Sequence, residues 1–264
     1  MQKAAFLLLL MLIGISATTA QKFRTINNQA FKRGEKLEYR VYYHSIVTGK
    51  VTAGEGVLEV KAENRKFNNR NTMHIIGVGK SKGAFNWFYK VNDRFETYID
   101  EEAMFPWMFV NRIREGGYKK DDDITFDHND GKAVSRNATT RLPENVQDFV
   151  SGFYYARTLD ISKVTIGGGF NVPFFLNDSV YTSRIIYEGK GVVKTELGTF
   201  NCLKFKPMVV KGDVFSDPYP MTIWVTDDRN RVPILFQSEV IVGDVKMELI
   251  KYTGLANPFT AKVK

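Results

Sequence analysis

The sequence predicts an all-β protein, mainly antiparallel, whose strongly curved sheet forms an incomplete β-barrel or a sandwich of two repeat-like halves. Segments of alternating apolar and polar residues recur along the chain, which is typical of strands with one face in water. Gly, Asn and Asp stand between these segments, and all three favour tight turns. A phrase made of an acidic turn, a proline and a long return strand occurs twice.

The repeated phrase is clearest over residues 224–251. Aligned on Pro106 and Pro233, the two copies place Asp100 and Asp227 six residues before the proline. A glycine also follows ten residues after each proline. We interpret the phrase as a structural repeat and expect it to carry little chemistry.

Short alternating segments are predicted as strands throughout the chain. They cover residues 37–43, 51–61, 73–80, 106–115, 118–126, 170–176, 180–187, 189–194, 200–207, 221–226, 233–241 and 245–251. Residues 64–71 predict a basic, Asn-rich loop, and residues 257–264 predict a loose tail. Residues 81–89 predict a short helical turn or a loop that packs its aromatic side chains inward.

One amphipathic helix is predicted over residues 144–159. Its apolar residues recur at helical spacing, at Val146, Phe149, Val150, Phe153 and Tyr154. Pro143 and Glu144 suit the first turn of such a helix. The helix would join two similar halves, residues 31–142 and 165–254, within a single β-rich domain over residues 21–264.

Residues 1–20 predict a cleaved signal peptide. Lys3 gives a basic start, residues 4–15 are apolar, and residues 18–20 are small. The alternative is an uncleaved N-terminal anchor. Gln21 follows the predicted cut, so the cysteine that a bacterial lipoprotein would need is absent there. No later apolar run approaches the roughly 20 residues of a membrane helix, so we expect a soluble periplasmic or secreted protein.

Charge and cysteine content restrict the function further. The formal net charge of +8 falls to +7 when the signal and Lys3 are removed, because no acid is lost with it. The charges are spread along the chain, and an exported address disfavours nucleic acid as a partner. Cys202 is the single cysteine, so no internal disulfide forms, and its apolar surroundings predict a buried structural thiol.

The common catalytic and cofactor patterns are missing from the sequence. The three histidines, His44, His74 and His128, lie singly and lack ligand partners at metal spacing. Residues 121–123 lack the spaced ligands of a calcium loop, and the glycines at 167–169 lack the Lys-Ser/Thr of a phosphate loop. No Gly-x-Ser-x-Gly motif occurs. We therefore expect no cofactor and no metal, and the absence of a catalytic set favours a non-enzyme.

The 35 aromatic residues suggest that the inner face of the sheet holds an apolar ligand cavity. The candidate lining residues are Trp87, Phe88, Trp107, Phe153, Tyr154, Arg157 and Trp224. The same side chains would serve equally in a packed core. As an alternative, Asp100 could work with Asp227 or Asp228 as an acid and base pair, as in glycosidases.

Five phrases resemble one protein family. They are GEKLEYRVYY at 34–43, DRFETYID at 93–100, NRIREGG at 111–117, QDFVSGFYYAR at 147–157 and IWVTDDRNRVP at 223–233. Together they resemble the exported bacterial domain-of-unknown-function family 3108 over nearly the whole mature chain. The resemblance implies a periplasmic or surface-associated β-rich protein and supplies no catalytic residue. The turn-proline-strand phrase is also similar, at the level of fold, to the half-barrels of periplasmic lipoprotein carriers.

Three functional hypotheses follow. The first is a non-catalytic binding module for a lipid or other amphiphile of the cell envelope. The second is a hydrolase of envelope glycan that uses the turn carboxylates. The third is a scaffold or assembly factor that joins an envelope protein complex through exposed edge strands.

Overall fold

The computed structural model describes residues 23–46, 49–209, 217–240 and 243–263, without the side chains of Lys50 and Phe88. The predicted signal peptide therefore lies outside the described residues. The described chain forms one antiparallel sheet of 14 strands. The strands are β1 (Lys36–Ser45), β2 (Gly49–Phe67), β3 (Arg70–Ser81), β4 (Asn92–Asp100), β5 (Pro106–Glu115), β6 (Tyr118–Asp127), β7 (Lys132–Val134), β8 (Thr139–Arg141), β9 (Gly169–Leu176), β10 (Ser179–Thr195), β11 (Gly198–Pro207), β12 (Met221–Thr226), β13 (Pro233–Glu239) and β14 (Asp244–Thr253).

The two halves of the chain join into one sheet. Strands β1 to β8 pair in chain order, and so do strands β9 to β14. The halves meet where β1 pairs with β14, from Lys36 opposite Thr253 to His44 opposite Asp244. The predicted all-β fold is confirmed, and the choice between one sheet and two is settled as one.

The sheet curls without closing through strand pairing of its two edge strands, β8 and β9. The hydroxyl of Thr140 in β8 donates to the carbonyl oxygen of Asp178, beyond the end of β9, over 2.9 Å. The residue Gln147 donates its backbone N–H to Pro173 and accepts from the backbone N–H of Phe175, both at 2.8 Å. The described sheet is therefore an incomplete barrel whose gap is bridged by a connecting segment.

Two predicted loops or breaks are strand instead. The predicted loop over residues 64–71 is mostly the end of β2 and the start of β3. Only Asn68 and Asn69 form the turn, with φ values of 48° and 62°, a conformation that Asn tolerates better than most residues. The predicted strands 180–187 and 189–194 are one strand, β10, which shifts register between Tyr187 and Gly189. A bulge of this kind bends a strand without ending it.

The predicted helix exists but is shorter than residues 144–159. Helix α2 covers Phe149–Ala156, and a single-turn helix, α1, covers Phe85–Phe88. The side chain of Asp148 accepts from the backbone N–H groups of Val150 and Ser151, and this cap fixes the start of α2. Asn145 has a φ of 59°, so the residues before the cap are not helical.

The core lies along the inside of the curved sheet and around α2. One buried cluster combines strands β2 to β7 with α2 and β9, and includes Ile75, Ile99, Phe109, Ile124, Phe126, Val150, Tyr154 and Phe175. A second combines β1 with β10 to β14, and includes Leu37, Tyr39, Phe200, Cys202, Ile234 and Leu249. Burial raises the pKa of the Cys202 thiol to about 12, as suits a structural cysteine.

The predicted loose tail is wrong for its described part. Ala261 accepts a hydrogen bond of 2.9 Å from the backbone N–H of Asn201, and Phe259 packs its ring 5.3 Å from that of Phe200. The last residues thus cover β11, because Phe200 and its neighbours leave apolar surface there.

The cap of α2 predicts a specific pH dependence. Burial raises the pKa of Asp148 to about 6, although hydrogen bonds from Thr97, Ser151 and Val150 oppose the shift. An unfolded aspartate has a pKa of about 3.9, so the folded state binds more protons between pH 4 and pH 6. Stability from this group is therefore complete below about pH 4 and is lost as pH rises through 6.

Asp148→Asn keeps a capping oxygen and removes the titration. Relative to this variant, we expect wild type to lose on the order of 3 kcal/mol of unfolding free energy between pH 4 and pH 7. Urea denaturation of both proteins across that range measures the difference. A difference that stays constant with pH contradicts the account.

Candidate ligand-binding face

The seven predicted lining residues lie in four different parts of the fold. Trp87 is 88% exposed on α1, so residues 81–89 contain the helical turn that was one of the two predictions, and Trp87 does not pack inward as the other predicted. Trp107 is buried in β5, and Trp224 lies half-buried in β12. Phe153, Tyr154 and Arg157 share α2 and its C-cap, and the side chain of Phe88 lies outside the described ones. The structure therefore brings three of the seven together.

Trp107 belongs to a small core at the β4–β5 turn. Its indole Nε1–H donates to a carboxylate oxygen of Asp100 over 2.9 Å. The other oxygen of Asp100 accepts from the backbone N–H groups of Glu102 and Ala103. Burial raises the pKa of Asp100, but Arg70 and these donors outweigh burial and lower it overall. Asp100 and Trp107 thus anchor the turn.

The β12–β13 turn has the same arrangement, but its acceptor lies one residue after Asp227, the residue that the sequence repeat aligns with Asp100. The Oδ1 of Asp228 accepts from the backbone N–H groups of Asn230 and Arg231, at 3.0 and 3.3 Å. The structural counterpart of Asp100 is thus Asp228, and Asp227 instead pairs with Lys190. Strands β3, β2, β1 and β14 lie between β4 and β13 in the sheet. The three predicted acids therefore belong to two separate turns and have structural partners in each.

Arg157 makes a buried ion pair with Glu35. Its Nη1 and Nη2 donate to the two carboxylate oxygens of Glu35 over 2.6 and 2.8 Å. Nη2 also donates to the carbonyl oxygens of Asn230 and Ala30. The two side chains are 2% and 0% exposed. Burial acts to lower the pKa of Arg157, but Glu35 raises it overall, so the guanidinium keeps its charge.

Tyr154 and Trp224 also have packing roles. The ring of Tyr154 lies 4.7 Å from that of Phe31, and its side chain is completely buried. The ring of Trp224 covers Gly191 so closely that a Cβ there would lie 2.7 Å from a ring carbon. Neither side chain presents as much exposed surface to a ligand as Phe149 on α2 does.

A continuous group of partly exposed apolar side chains lies on the inner face of the sheet, beside the partly exposed side of α2. This apolar face consists of Leu58, Phe95, Phe149, Phe153, Phe236 and Met247. Phe149 is 65% exposed and its ring lies 5.9 Å from that of Phe95. Phe153 stacks on Phe236 with ring centroids 5.6 Å apart. Strands far apart in the chain thus contribute to one surface.

Glycines form the floor beside the apolar face. Gly56 in β2 pairs with Gly79 in β3, and Gly77 lies on the same side of β3. A Cβ on Gly77 would contact Leu58, Phe95 and the helix, which shows that this side faces α2. A Cβ on Gly79 would meet no atom within 4 Å. We call this hollow the glycine trough.

Polar groups lie at one end of the trough. Asp93 pairs with Gly79, and Asn111 pairs with Phe95, so both share its face. The Oδ1 of Asn111 is buried without a hydrogen-bond partner in the described structure. Burial and the nearby carboxylate of Asp93 raise the pKa of Glu115. Such acceptors match a ligand group that carries hydrogen-bond donors.

Two clefts lie away from the apolar face. One of about 710 Å³ lies between the N-terminal segment, including Asn28 and Arg33, and the β4–β5 turn, including Glu101. The other, of about 210 Å³, lies between His128 and Pro143. None of the predicted lining residues borders either cleft. The walls of both clefts are rich in polar side chains, unlike those of an apolar ligand site.

The histidines have structural partners. His74 lies between two carboxylates, with Nδ1 3.3 Å from Glu63 and Nε2 2.7 Å from Glu96. The Nε2 of His128 lies 2.8 Å from the carbonyl oxygen of Pro106, and burial lowers the pKa of His128 to about 4. Within the described ranges, no three side chains of His, Cys, Asp or Glu residues are grouped so that they could hold a metal ion.

Sequence reasoning missed most of the apolar face. Phe95, Phe236 and Met247 sit in ordinary strand patterns, and only the register between strands reveals that they meet. A usable signal was present in the strand glycines, because Gly56 and Gly79 leave space that side chains would otherwise fill.

Comparisons with known proteins agree with the fold. The family model described as "Protein of unknown function (DUF3108)" matches residues 38–250. No curated protein matches the chain. The chain is similar to the solved structure of a β-barrel-like protein of DUF1849 from Brucella abortus, with a TM-score of 0.54, 12% identity and coverage of 89% of this chain and 99% of that one.

Two further solved structures give weaker matches. A protein from Parabacteroides distasonis named as a lipoprotein has a TM-score of 0.37 and 11% identity, covering 88% of this chain and 100% of that one. A protein from Bacteroides fragilis named as exported has a TM-score of 0.34 and 8% identity, with the same coverage of 88% and 100%. These scores are too low to support an argument. In the described residues, no helix is both long and apolar enough to span a membrane.

The buried ion pair generates a stability prediction. Glu35→Gln leaves the Arg157 guanidinium buried without a counter-charge, and we expect it to lower the unfolding free energy by about 3–5 kcal/mol. Arg40→Met removes the exposed pair with Glu196 and serves as the matched control, with a much smaller expected change. Urea denaturation measures both. Equal effects of the two substitutions would show that the buried pair has no special role.

Proposed function

This chain belongs to the DUF3108 family of proteins of unknown function, and we propose that it is an exported, non-catalytic protein that binds a lipid or another amphiphile of the cell envelope. The observation that carries the proposal is the apolar face beside the glycine trough. Phe149, at 65% exposure, extends from α2 over Phe95. Exposed apolar surface that is continuous and lies in a concavity is typical of a binding site.

An acyl chain suits this surface. Burying a large apolar side chain stabilises by about 1.5–3 kcal/mol, so a ligand that covers Phe149 and its neighbours gains affinity without polar contacts. The trough beside Gly79 is open, and its walls are side chains such as Met247 and Leu58. A slender, flexible chain fills a hollow of this shape better than a rigid, broad ligand does.

The polar end of the trough supports an amphiphile rather than a plain hydrocarbon. Asp93 and the unpartnered Oδ1 of Asn111 are hydrogen-bond acceptors at that end. A headgroup with hydroxyl or ammonium donors would satisfy the Asn111 oxygen, and a buried acceptor left unpaired costs about 1–3 kcal/mol. The acyl chain would then extend from Gly79 towards Phe153.

The other hypotheses find less support in the geometry. The carboxylates of Asp100 and Asp228 are occupied by turn hydrogen bonds, which leaves fewer free lone pairs for glycan chemistry. Of the two edge strands, β8 has only three residues, which is short for pairing with a partner strand, and β9 is already paired with Gln147 along its outer edge. The signal peptide predicted over residues 1–20 supports a periplasmic or secreted location for an amphiphile binder.

Two substitutions test the site in opposite ways. Gly79→Val fills the trough, and we expect it to weaken binding of a fluorescent fatty acid at least tenfold without loss of stability, because valine suits a strand. Phe149→Ser removes exposed apolar surface, and we expect roughly tenfold weaker binding. Fluorescence titration measures affinity, and thermal denaturation checks the fold.

The matched control is Val192→Ser on β10, because Val192 is also 65% exposed but lies outside the apolar face. It should leave affinity unchanged. Failure of wild type to bind the probe, or unchanged affinity in Gly79→Val, would contradict the proposal.

A further inference from the structure

Exposed apolar side chains are concentrated at one rim of the sheet. In an antiparallel sheet the turns that follow β1, β3 and β5 lie at the same edge. These connections carry Ile46, Trp87, Tyr89 and Tyr118, which are 103%, 88%, 45% and 56% exposed. We call these four residues the apolar rim.

Contacts between the connections confirm that they are neighbours. The ring of Phe85 in α1 lies 5.8 Å from that of Tyr43, near the end of β1. The ring of Tyr89 lies close to Gly116 in the β5–β6 turn, 3.2 Å from where a Cβ would stand. Helix α1, which carries Trp87, therefore lies between the β1–β2 turn and the β5–β6 turn.

Exposed lysines lie among the apolar rim residues. They are Lys80, Lys82, Lys90 and Lys119. Lys82 pairs with Glu55, whereas none of the other three has a carboxylate partner in the described part of the chain. The carboxylate of Asp244, at the β14 side of this edge, pairs with His44. The α1 side of the rim therefore carries three lysines without a carboxylate partner among the described residues, with Glu115 beside Tyr89.

We propose that the apolar rim docks onto the surface of a bilayer that contains anionic phospholipids. Tryptophan and tyrosine prefer the interface between headgroups and acyl chains, where one end of the ring is apolar and the other is wet. Lysines near an anionic surface add attraction that salt weakens. At such a surface the exposed side chains of Trp87 and Ile46 would be removed from water, and the unpaired lysines would lie next to phospholipid groups of opposite charge.

The fold sets the depth of contact. Trp87 and Ile46 project from a short helix and a turn, so they enter the headgroup region without spanning the bilayer. Strand β3 runs from Gly79 at the trough directly to α1 at the rim. Docking by this rim would therefore place the glycine trough next to the lipid. The docking itself does not require the proposed amphiphile binding.

Co-sedimentation of the exported protein with vesicles tests the proposal. The vesicles contain phosphatidylcholine alone or with phosphatidylglycerol. We expect binding to the mixed vesicles, reduced by salt, and at least roughly tenfold weaker binding after Ile46→Ser with Trp87→Ser. Lys90→Glu with Lys119→Glu should abolish the preference for phosphatidylglycerol.

Matched controls lie elsewhere on the surface. Ile166, at 75% exposure, and the exposed Lys163 and Lys194 lie outside the rim. Ile166→Ser, and Lys163→Glu with Lys194→Glu, should bind vesicles like wild type. Gly79→Val should also retain vesicle binding, so failure of amphiphile binding and failure of docking are distinguishable.

Tryptophan fluorescence gives a second readout. Trp107 is 1% exposed and Trp224 is half-buried, so protection from acrylamide quenching on adding vesicles should come from Trp87 and vanish in Trp87→Phe. The proposal is overturned if wild type binds neither vesicle. It is also overturned if the rim variants bind vesicles as well as wild type does. The same holds if the rim forms a dimer interface in solution and vesicle binding does not depend on the rim residues.

Discussion

The ion pair between Glu35 and Arg157 is the interaction on which the arrangement of this protein depends. Arg157 ends helix α2, Glu35 precedes β1, and the same guanidinium holds the carbonyl oxygens of Ala30 and Asn230. The amide of Asn230 donates in turn to the carbonyl oxygen of Asn257. Four distant segments are thus joined around one buried charge, which is tolerated only because every donor has a partner. The pair fixes where α2 lies inside the sheet and closes that end of the molecule.

With its C-terminal end fixed, α2 covers only part of the inner face. Its first residue, Phe149, remains exposed over Phe95, and Gly56 and Gly79 leave a hollow beside it. A packed core would normally fill such space, because interiors are close-packed. The opening faces the edge that carries α1 and Trp87. The molecule therefore has one end closed around a buried ion pair and, at the opposite edge, an open trough beside exposed apolar side chains.

The sequence predicted strands, turns and the existence of α2, because alternation and turn residues act locally. It overestimated α2, since Asp148 caps the helix and Gln147 pairs with β9. The candidate site was predicted less well. Bulky aromatics such as Trp107 were expected to line a cavity, yet they fill the core. The residues that form the apolar face meet only through strand register, which a single sequence does not specify.

The central claim is that the inner face holds an amphiphile in the cell. Native mass spectrometry of protein recovered after export without detergent, followed by solvent extraction, tests it most directly. We expect a fraction of wild type to carry an added lipid-sized mass that extraction releases, and Gly79→Val to carry none. Wild type that shows only the mass of the bare chain, at concentrations where the envelope supplies lipid, would contradict the account.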